Sequence, residues 1–381
     1  MASKLGSVDP SRFPDESFDL YSIPAYDAQI PQVELGSAIG STKQIVAPND
    51  VLLSKIVPHI RRTWIVGENR GRRLIASGEW IVFRSESVAP QFLRHLLRGD
   101  AFHAQFMTTV SGVGGSLLRA RPAQVAQIQI KVPSLAEQRR IAAILDKADA
   151  LRVKRTQAIA LLDSLARSIF LEMFGDHAAK SWTTTTINAV AASEGGIRTG
   201  PFGSQLLHSE FVDEGIAVLG IDNVVANEFR WGASRFITST KFESLKRYKV
   251  SPGDVLITIM GTCGRCAIVP STIPLAINTK HLCCITLDQK RCLPEFLHSY
   301  FLLHPTALRY LQQKAKGAIM DGLNMGTIKE MPLPMAPIEL QRAYALRVGA
   351  IHRMRQQHEQ SLQALEFCFS SLQHRAFTGT L

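Results

Sequence analysis

The sequence predicts an α+β protein, with two mixed α/β domains separated by two long helices that pair as a coiled coil. Three observations point there. One pattern is written twice along 381 residues. Each copy ends in a long stripe of apolar residues at alternating steps of four and three. What precedes each stripe is rich in short β-branched runs bounded by glycine or proline. A hydrophobic content of 46% is enough to fill more than one core, and the length calls for two or three units.

The repeat is clearest at Asn49-Asp50-Val51-Leu52-Leu53, which returns about 204 positions later as Gly253-Asp254-Val255-Leu256-Ile257, a turn entering a buried strand. Phe92-Leu93 returns as Phe296-Leu297 in a helical pattern. The glycine-bearing run Ser111-Gly112-Val113-Gly114-Gly115 returns as Lys316-Gly317-Ala318, and Pro133 and Gln138 return as Pro337 and Gln341. The organisation expected is a first domain over 1–133, a helix over 134–174, a second domain over 175–336 and a C-terminal helix over 337–381.

The first helix starts at a capping box, with Ser134 as N-cap and Glu137 three positions on. Its stripe is Ile144, Ala148, Leu151, Ala158, Leu162, Leu165 and Ile169, interrupted by Arg155, and Gly175 stops it. Roughly 40 residues at 1.5 Å each make a helix of ~60 Å. The second stripe is Tyr344, Val348, Ile351, Leu362, Leu365, Phe369 and Leu372, interrupted by Arg355 and His358, with Gly379 near its end. One stripe alone reads as a core helix. Two at matched ends of a repeat favour a coiled-coil pair that also acts as a spacer.

Charge points to the partner. The net charge is +11, and nucleic acid is the commonest anionic partner of such a chain. The surplus is spread over all four segments rather than held in a tail. In the first domain it is focused: Lys55, Arg61, Arg62, Arg70, Arg72 and Arg73 lie within one stretch opposed locally only by Glu68, a candidate phosphate-binding strip with His59 inside it. In the second domain Arg198, Ser204 and Gln205 flank a glycine loop, with Arg265, Asn278 and Lys280 on neighbouring strands.

Signatures of chemistry are missing. The Gly-x-x-x-x-Gly-Lys-Ser/Thr phosphate loop, any Pro-Pro pair of an amino-methylation motif, and Glu-x-Lys of a common nuclease site do not occur. Cys263-Gly264-Arg265-Cys266 has knuckle spacing, and Cys283-Cys284 could complete a four-thiolate site. However, adjacent cysteines on a strand point to opposite faces, so the thiols read as small core residues and no metal is expected. The six cysteines cluster in the C-terminal half rather than forming a spaced framework, which reads as reduced thiols in a reducing compartment, and the N-terminus lacks a signal-peptide pattern. A cytoplasmic protein without membrane contact is expected.

The chain resembles the specificity subunits of Type I restriction-modification systems over essentially its whole length. The resemblance is carried by Gly195-Gly196-Ile197-Arg198-Thr199-Gly200-Pro201-Phe202-Gly203-Ser204, by Gly253-Asp254-Val255-Leu256, by Gly261-Thr262-Cys263-Gly264-Arg265-Cys266-Ala267-Ile268-Val269, by Ala276-Ile277-Asn278-Thr279-Lys280-His281, and most recognisably by Pro133-Ser134-Leu135-Ala136-Glu137-Gln138-Arg139-Arg140-Ile141. It implies two target-recognition domains, each gripping half of a split double-stranded DNA target, with the long helices antiparallel and setting the gap. It implies that two adenine-methyltransferase subunits dock mainly on the helices, around Glu137, Gln138, Arg139, Arg140, Gln341 and Arg342, and that motor-nuclease subunits join the full complex. S-adenosylmethionine, ATP and Mg would serve those partners, and this chain would hold no cofactor and perform no catalysis.

Two departures stand out. Cys263 and Cys266 replace small aliphatic residues, and Glu339-Leu340-Gln341-Arg342 sits one residue closer to its proline than the first copy. The first domain lacks the glycine loop, so unequal halves and a non-palindromic target are expected. The alternatives are a stand-alone DNA-modifying enzyme with an unrecognised site, or a structural helical adaptor.

Overall fold

The protein is described by a computed structural model covering residues 6–112, 114, 117–179, 181–193, 195–315 and 323–381. By internal contact the chain forms two compact units, Met1–Gln157 with Glu359–Leu381, and Ala158–His358. The division cuts both long helices, so each half-helix belongs with the domain beside it.

In the first unit the strands are β1 (Ser7–Val8), β2 (Ser17–Tyr21), β3 (Gln32–Leu35), β4 (Lys43–Ile45), β5 (Val51–Ser54), β6 (Thr63–Ile65), β7 (Arg73–Ala76), β8 (Trp80–Phe83), and the short pair β9 (Val110–Ser111) and β10 (Arg119–Ala120). They are followed or crossed by α1 (Pro90–Arg98), α2 (Asp100–Thr108) and α3 (Pro122–Val125). A three-stranded sheet runs β6-β5-β8 and a five-stranded sheet β1-β4-β7-β2-β3. Within the latter β2 and β7 are parallel.

The strand β5 shows why these layers form. All of its residues are buried, and alternate side chains leave opposite faces of a strand. Val51 and Leu53 join a core with α1 and the long helices, whereas Leu52 joins Tyr21, Trp64, Leu74 and Trp80 between the two sheets. Both faces are therefore covered, and the run has no polar alternation.

The long helices are α4 (Leu135–Phe174) and α10 (Ile338–Thr378). Ser134 Oγ accepts from the Glu137 amide at 3.3 Å, the expected cap. Between them lie α5 (Asp176–Ala179), β11 (Thr184–Thr186), β12 (Ile197–Thr199), β13 (Ile216–Leu219), β14 (Phe236–Ile237), α6 (Ser239–Leu245), β15 (Lys249–Val250), β16 (Val255–Thr258), β17 (Cys266–Ile268), β18 (Ala276–Asn278), β19 (Leu282–Ile285), α7 (Pro294–Leu303), α8 (Pro305–Ala315), α9 (Met325–Lys329) and β20 (Pro332–Pro334).

The second unit repeats the first. The order β17-β16-β19 matches β6-β5-β8, and β14-β13-β18-β15 matches β3-β2-β7-β4, down to one parallel pair. Val255 and Ile257 face the helix layer while Leu256 faces the inter-sheet core. The repeat extends to individual hydrogen bonds. Ala47-Pro48-Asn49-Asp50 and Ser251-Pro252-Gly253-Asp254 are the same turn, with proline second and a positive φ third, 70° at Asn49 and 80° at Gly253. In both, the aspartate is 1% exposed and accepts from the amide three residues back.

Gln138 accepts from the Ala89 amide at 2.8 Å and donates to the carbonyls of Ser87 and Pro133. Gln341 accepts from the Leu293 amide at 2.9 Å and donates to those of Arg291 and Ala336. Gln341 thus places Ala336, not Pro337, opposite Pro133, and the missing residue falls before the helix.

The difference between the copies is the lead-in strand. In the first domain β1 joins β4; in the second β12 joins β19, in the other sheet. Cys283 and Cys284 on β19 enter the helix-side and inter-sheet cores respectively, as alternation requires. The shared glycine-bearing run is only partly visible, because Val113, Gly115 and residues 316–318 lie outside the described residues.

In each unit, stretches of α4 and α10 run antiparallel. Arg152 lies over the Phe369 ring at 4.6 Å in one, and Phe170 and Tyr344 meet edge-on at 5.6 Å in the other. The α10 stripe is buried at Tyr344, Val348, Ile351 and Phe369. The α4 stripe differs from its expected line. Ile141, Ala142, Leu145, Leu162, Phe170 and Phe174 are its buried apolar residues, while Leu151 and Leu165 are 47% and 48% exposed. The ends of α4 are embedded in domain cores, and that packing, rather than the partner helix alone, fixes which face turns inward.

Candidate nucleic-acid interface

In the second domain the strand register brings five segments to one end. Thr199 ends β12 opposite Cys283, and Thr258 ends β16 opposite Leu282, at the start of β19. The β16–β17 connection, residues 259–265, springs from there. The ends of the parallel pair β13 and β18 arrive together, since the Thr279 amide donates to the Leu219 carbonyl. The glycine loop presses on the same place. A Cβ on Gly200 would stand 2.0 Å from the Asn278 carbonyl oxygen, so only glycine lets the loop lie that close.

Four of the expected residues sit exposed at this end: Ser204 and Gln205 on the glycine loop, Arg265 on the hairpin, and Lys280 before β19. Gln205 is held from one side by the Tyr248 hydroxyl, which donates to it at 2.8 Å. No carboxylate pairs with Arg265 or Lys280 among the described residues.

The other two are internal. Arg198 donates to the Thr286 hydroxyl, the Lys249 carbonyl and Asp254, with its side chain 18% exposed. Asp254 also accepts from Thr286 Oγ1 at 2.7 Å and from the Cys284 thiol at 3.2 Å. Asn278 is fully buried, donating to the carbonyls of Thr279 and Leu282, and its Oδ1 has no hydrogen-bond partner. Both brace the loops from behind rather than meeting a ligand. Arginine and asparagine look alike in sequence whether they face a groove or a buried carboxylate; here the closeness of Asp254 decides.

His281 was missed by the sequence reading as a residue of this edge. It lines an open depression of about 750 Å³ with Phe211, Gly220, Asp222 and Arg235. Burial, then Lys280 and Arg235, lower its pKa below the ordinary histidine value.

In the first domain the strip of cations is divided. Lys55, His59, Arg61 and Arg62 lie on the β5–β6 connection, the counterpart of 259–265. Arg70, Arg72 and Arg73 lie beyond the far end of β6 and at the start of β7. Carboxylates distant in sequence also neutralise much of it. Arg61 meets Asp100 at 2.5 Å; Arg72 meets the buried Asp19 at 2.7 Å; Arg73 clasps Glu16 with two hydrogen bonds and lies over the Phe13 ring at 4.2 Å. Lys55 stands 3.9 Å from Glu79. Arg62 is half-buried with one nitrogen lacking a hydrogen-bond partner, while His59 and Arg70 are exposed. Glu68 is the one acid nearby in sequence, but strand pairing, not sequence distance, delivers the opposing acids.

Of the expected partner-contacting residues, Gln138 and Gln341 are 1% and 0% exposed and spend their hydrogen bonds on the backbone just ahead of α1 and α7 and just ahead of their own helices. They join each long helix to its own domain and present nothing outward. Arg139 is exposed, and Glu137 pairs with Arg140 at the surface, as Glu339 does with Arg342.

The thiols Cys266, Cys283, Cys284 and Cys292 are buried, and burial pushes Cys283 and Cys292 up to about 12. Among the described residues no group of three or more His, Cys, Asp or Glu side chains is arranged to hold a metal ion, and no helix is long and apolar enough to cross a membrane.

No protein-family model matches the sequence. Over 223 residues, 58% of the chain, it is 24% identical to the Type I restriction enzyme EcoBI specificity subunit of Escherichia coli. That match takes in 46% of the relative, so the chain spans about half its length there. Two solved structures share the fold. One chain, from work on the complex assembly and conformational transition of the type I R-M system, superposes with a TM-score of 0.58 at 19% identity, covering 100% of this chain and 96% of that one. The S subunit of the Type I restriction-modification system of M. genitalium superposes at 0.57 and 12% identity, covering 98% and 96%.

Proposed function

We propose that the chain is the DNA sequence-recognition subunit of a Type I restriction-modification enzyme, binding a bipartite, non-palindromic double-stranded target. One observation carries the reading: the same two-sheet unit occurs twice, each copy collecting its cation-bearing connections at the same end of the same strands. Side chains with fixed donors and acceptors at such an end read base edges, and the cations and loop amides around them position the phosphates. Arg265, Lys280, Ser204 and Gln205 serve one half; Lys55, His59, Arg61 and Arg62 serve the other.

The chain itself is non-catalytic in this reading. Adenine methylation and cleavage belong to two methyltransferase subunits and to motor-nuclease subunits, which use S-adenosylmethionine, ATP and Mg. Exposed apolar side chains on the helices support a protein partner there: Leu346 and Leu161 are 76% and 70% exposed in one unit, and Phe367 is 79% exposed in the other.

Mapping of methylated adenines in cells with and without the chain tests the proposal. A two-part motif that vanishes with the chain is the expected result, and an unchanged methylation pattern rejects it. Incubation of the isolated chain with DNA, Mg and S-adenosylmethionine is expected to give neither methylation nor cleavage; turnover would favour the stand-alone enzyme.

A further inference from the structure

The shared register allows positions to be matched by backbone hydrogen bond. The Lys55 amide donates to the Glu79 carbonyl at 3.0 Å, and the Ile259 amide donates to the His281 carbonyl at 2.9 Å. Each donor follows the matched strands β5 and β16, and each acceptor immediately precedes the matched strands β8 and β19. Glu79 and His281 therefore occupy one place in the two domains, at the end where the hairpin connections gather.

A carboxylate is out of character there, because it repels the phosphates that the surrounding cations attract. It is also not consumed by its neighbours. Arg119 Nη2 stands 3.5 Å from one oxygen and Lys55 Nζ 3.9 Å from the other, which balances the charge. Among the described residues neither oxygen forms a hydrogen bond; Oε2, on the Lys55 side, is shut off from solvent, so the 33% exposure of the side chain leaves Oε1, beside Arg119, as the oxygen a ligand can reach. The carboxylate is thus held in place by charge while Oε1 keeps its acceptor capacity unspent. In the major groove a glutamate accepts from the exocyclic amino group of cytosine, and adenine offers the same kind of donor.

We propose that this matched position determines specificity in both half-sites with opposite chemistry: Glu79 accepts from the amino group of a cytosine or adenine, and His281 donates to a purine N7 or O6. The inference rests on the DNA-reading function above and names two residues that carry it. Lys55 and Arg119 then act as positioning residues for the carboxylate.

Selection of randomised duplexes by the full-length chain is the test, with wild type, Glu79→Gln and His281→Ala compared. Glutamine keeps the shape but adds a donor, so in Glu79→Gln one base pair of one half-site loses its preference for cytosine or adenine by roughly tenfold or more, with every other position kept. His281→Ala relaxes one pair in the other half-site. Urea-unfolding midpoints matching wild type establish that the variants fold. A wild-type motif left intact in Glu79→Gln, or weakened evenly at all positions, overturns this inference alone. A wild-type chain that enriches no motif overturns the DNA-reading itself.

Discussion

The two domains solve one folding problem with the same hydrogen bonds and then differ where a ligand would meet them. Asp50 and Asp254 close the same turn, yet Asp50 is met by Arg84, whose side chain is 41% exposed, while Asp254 gathers Arg198, Thr286 and Cys284 in the interior. At the matched end of the strands the first domain pairs its cations with Asp100 and Glu79, whereas in the second no carboxylate pairs with Arg265 or Lys280 among the described residues. The repeated scaffold sets position, and the local acids set how much uncompensated positive charge each half presents.

The largest test of this contrast is removal of the two aspartates. Asp254→Ala strands a mostly buried guanidinium and is expected to cost about 3–5 kcal/mol. Asp50→Ala is expected to cost about 1–3 kcal/mol, because water can reach Arg84. Urea denaturation followed by circular dichroism checks both, and equal losses would show that the two turns are energetically alike.

Gln138→Leu and Gln341→Leu come next, at about 2–3 kcal/mol each, since every variant strands a buried amide and two carbonyls. Here the two copies should agree. A difference above about 1 kcal/mol would mean that one helix is attached to its domain by other means.

Acid separates the units more gently. His298, His304 and His352 in the second unit, and His95 in the first, have pKa values lowered mainly by burial. The His304 ring is set as the neutral form, with Nε2 donating to the Phe174 carbonyl and Nδ1 accepting from the Thr306 amide. Below the ordinary histidine value near 6.5 the unfolded chain binds these protons first. Stability is therefore full above that pH and is lost as pH falls through the lowered values. Unfolding midpoints between pH 7.5 and 5 should fall further for the second unit. His304→Gln should reduce that slope.

The smallest effect is electrostatic. Arg265→Ala with Lys280→Ala is expected to reduce the slope of log K against log salt by about 1.8 for two phosphate contacts. Arg72→Ala with Arg73→Ala should change it less, because both cations are already paired within the fold. Titration of non-specific duplex by fluorescence anisotropy at several salt concentrations measures both.

Much of the architecture was legible because it depends on local pattern. The turn before each buried strand, the capped start of α4 and the opposite facing of Cys283 and Cys284 follow from periodicity and capping alone. The site was less legible because it depends on pairing between distant segments. Nothing near Arg73 in sequence announces Glu16, nor does anything near Arg198 announce Asp254, and Glu79 acquires its meaning only when strand register sets it opposite Lys55. The exposed face of α4 departs from its stripe for the same reason, since the domain cores and not the stripe determine its rotation.

The uneven covering of the long helices has a dynamic consequence. Apolar burial along α4 is concentrated at Ile141 to Leu145 and at Phe170 to Phe174, with Leu162 the one buried apolar side chain between them, so the middle turns lose less apolar packing when they open. Such turns open by local unfolding at a free energy well below that of the ends. Amide hydrogens around Leu151 to Leu161 should therefore exchange with solvent sooner than those near Leu145 or Phe170. Anything that settles on this stretch would register as slowed exchange before it registered as a change of shape.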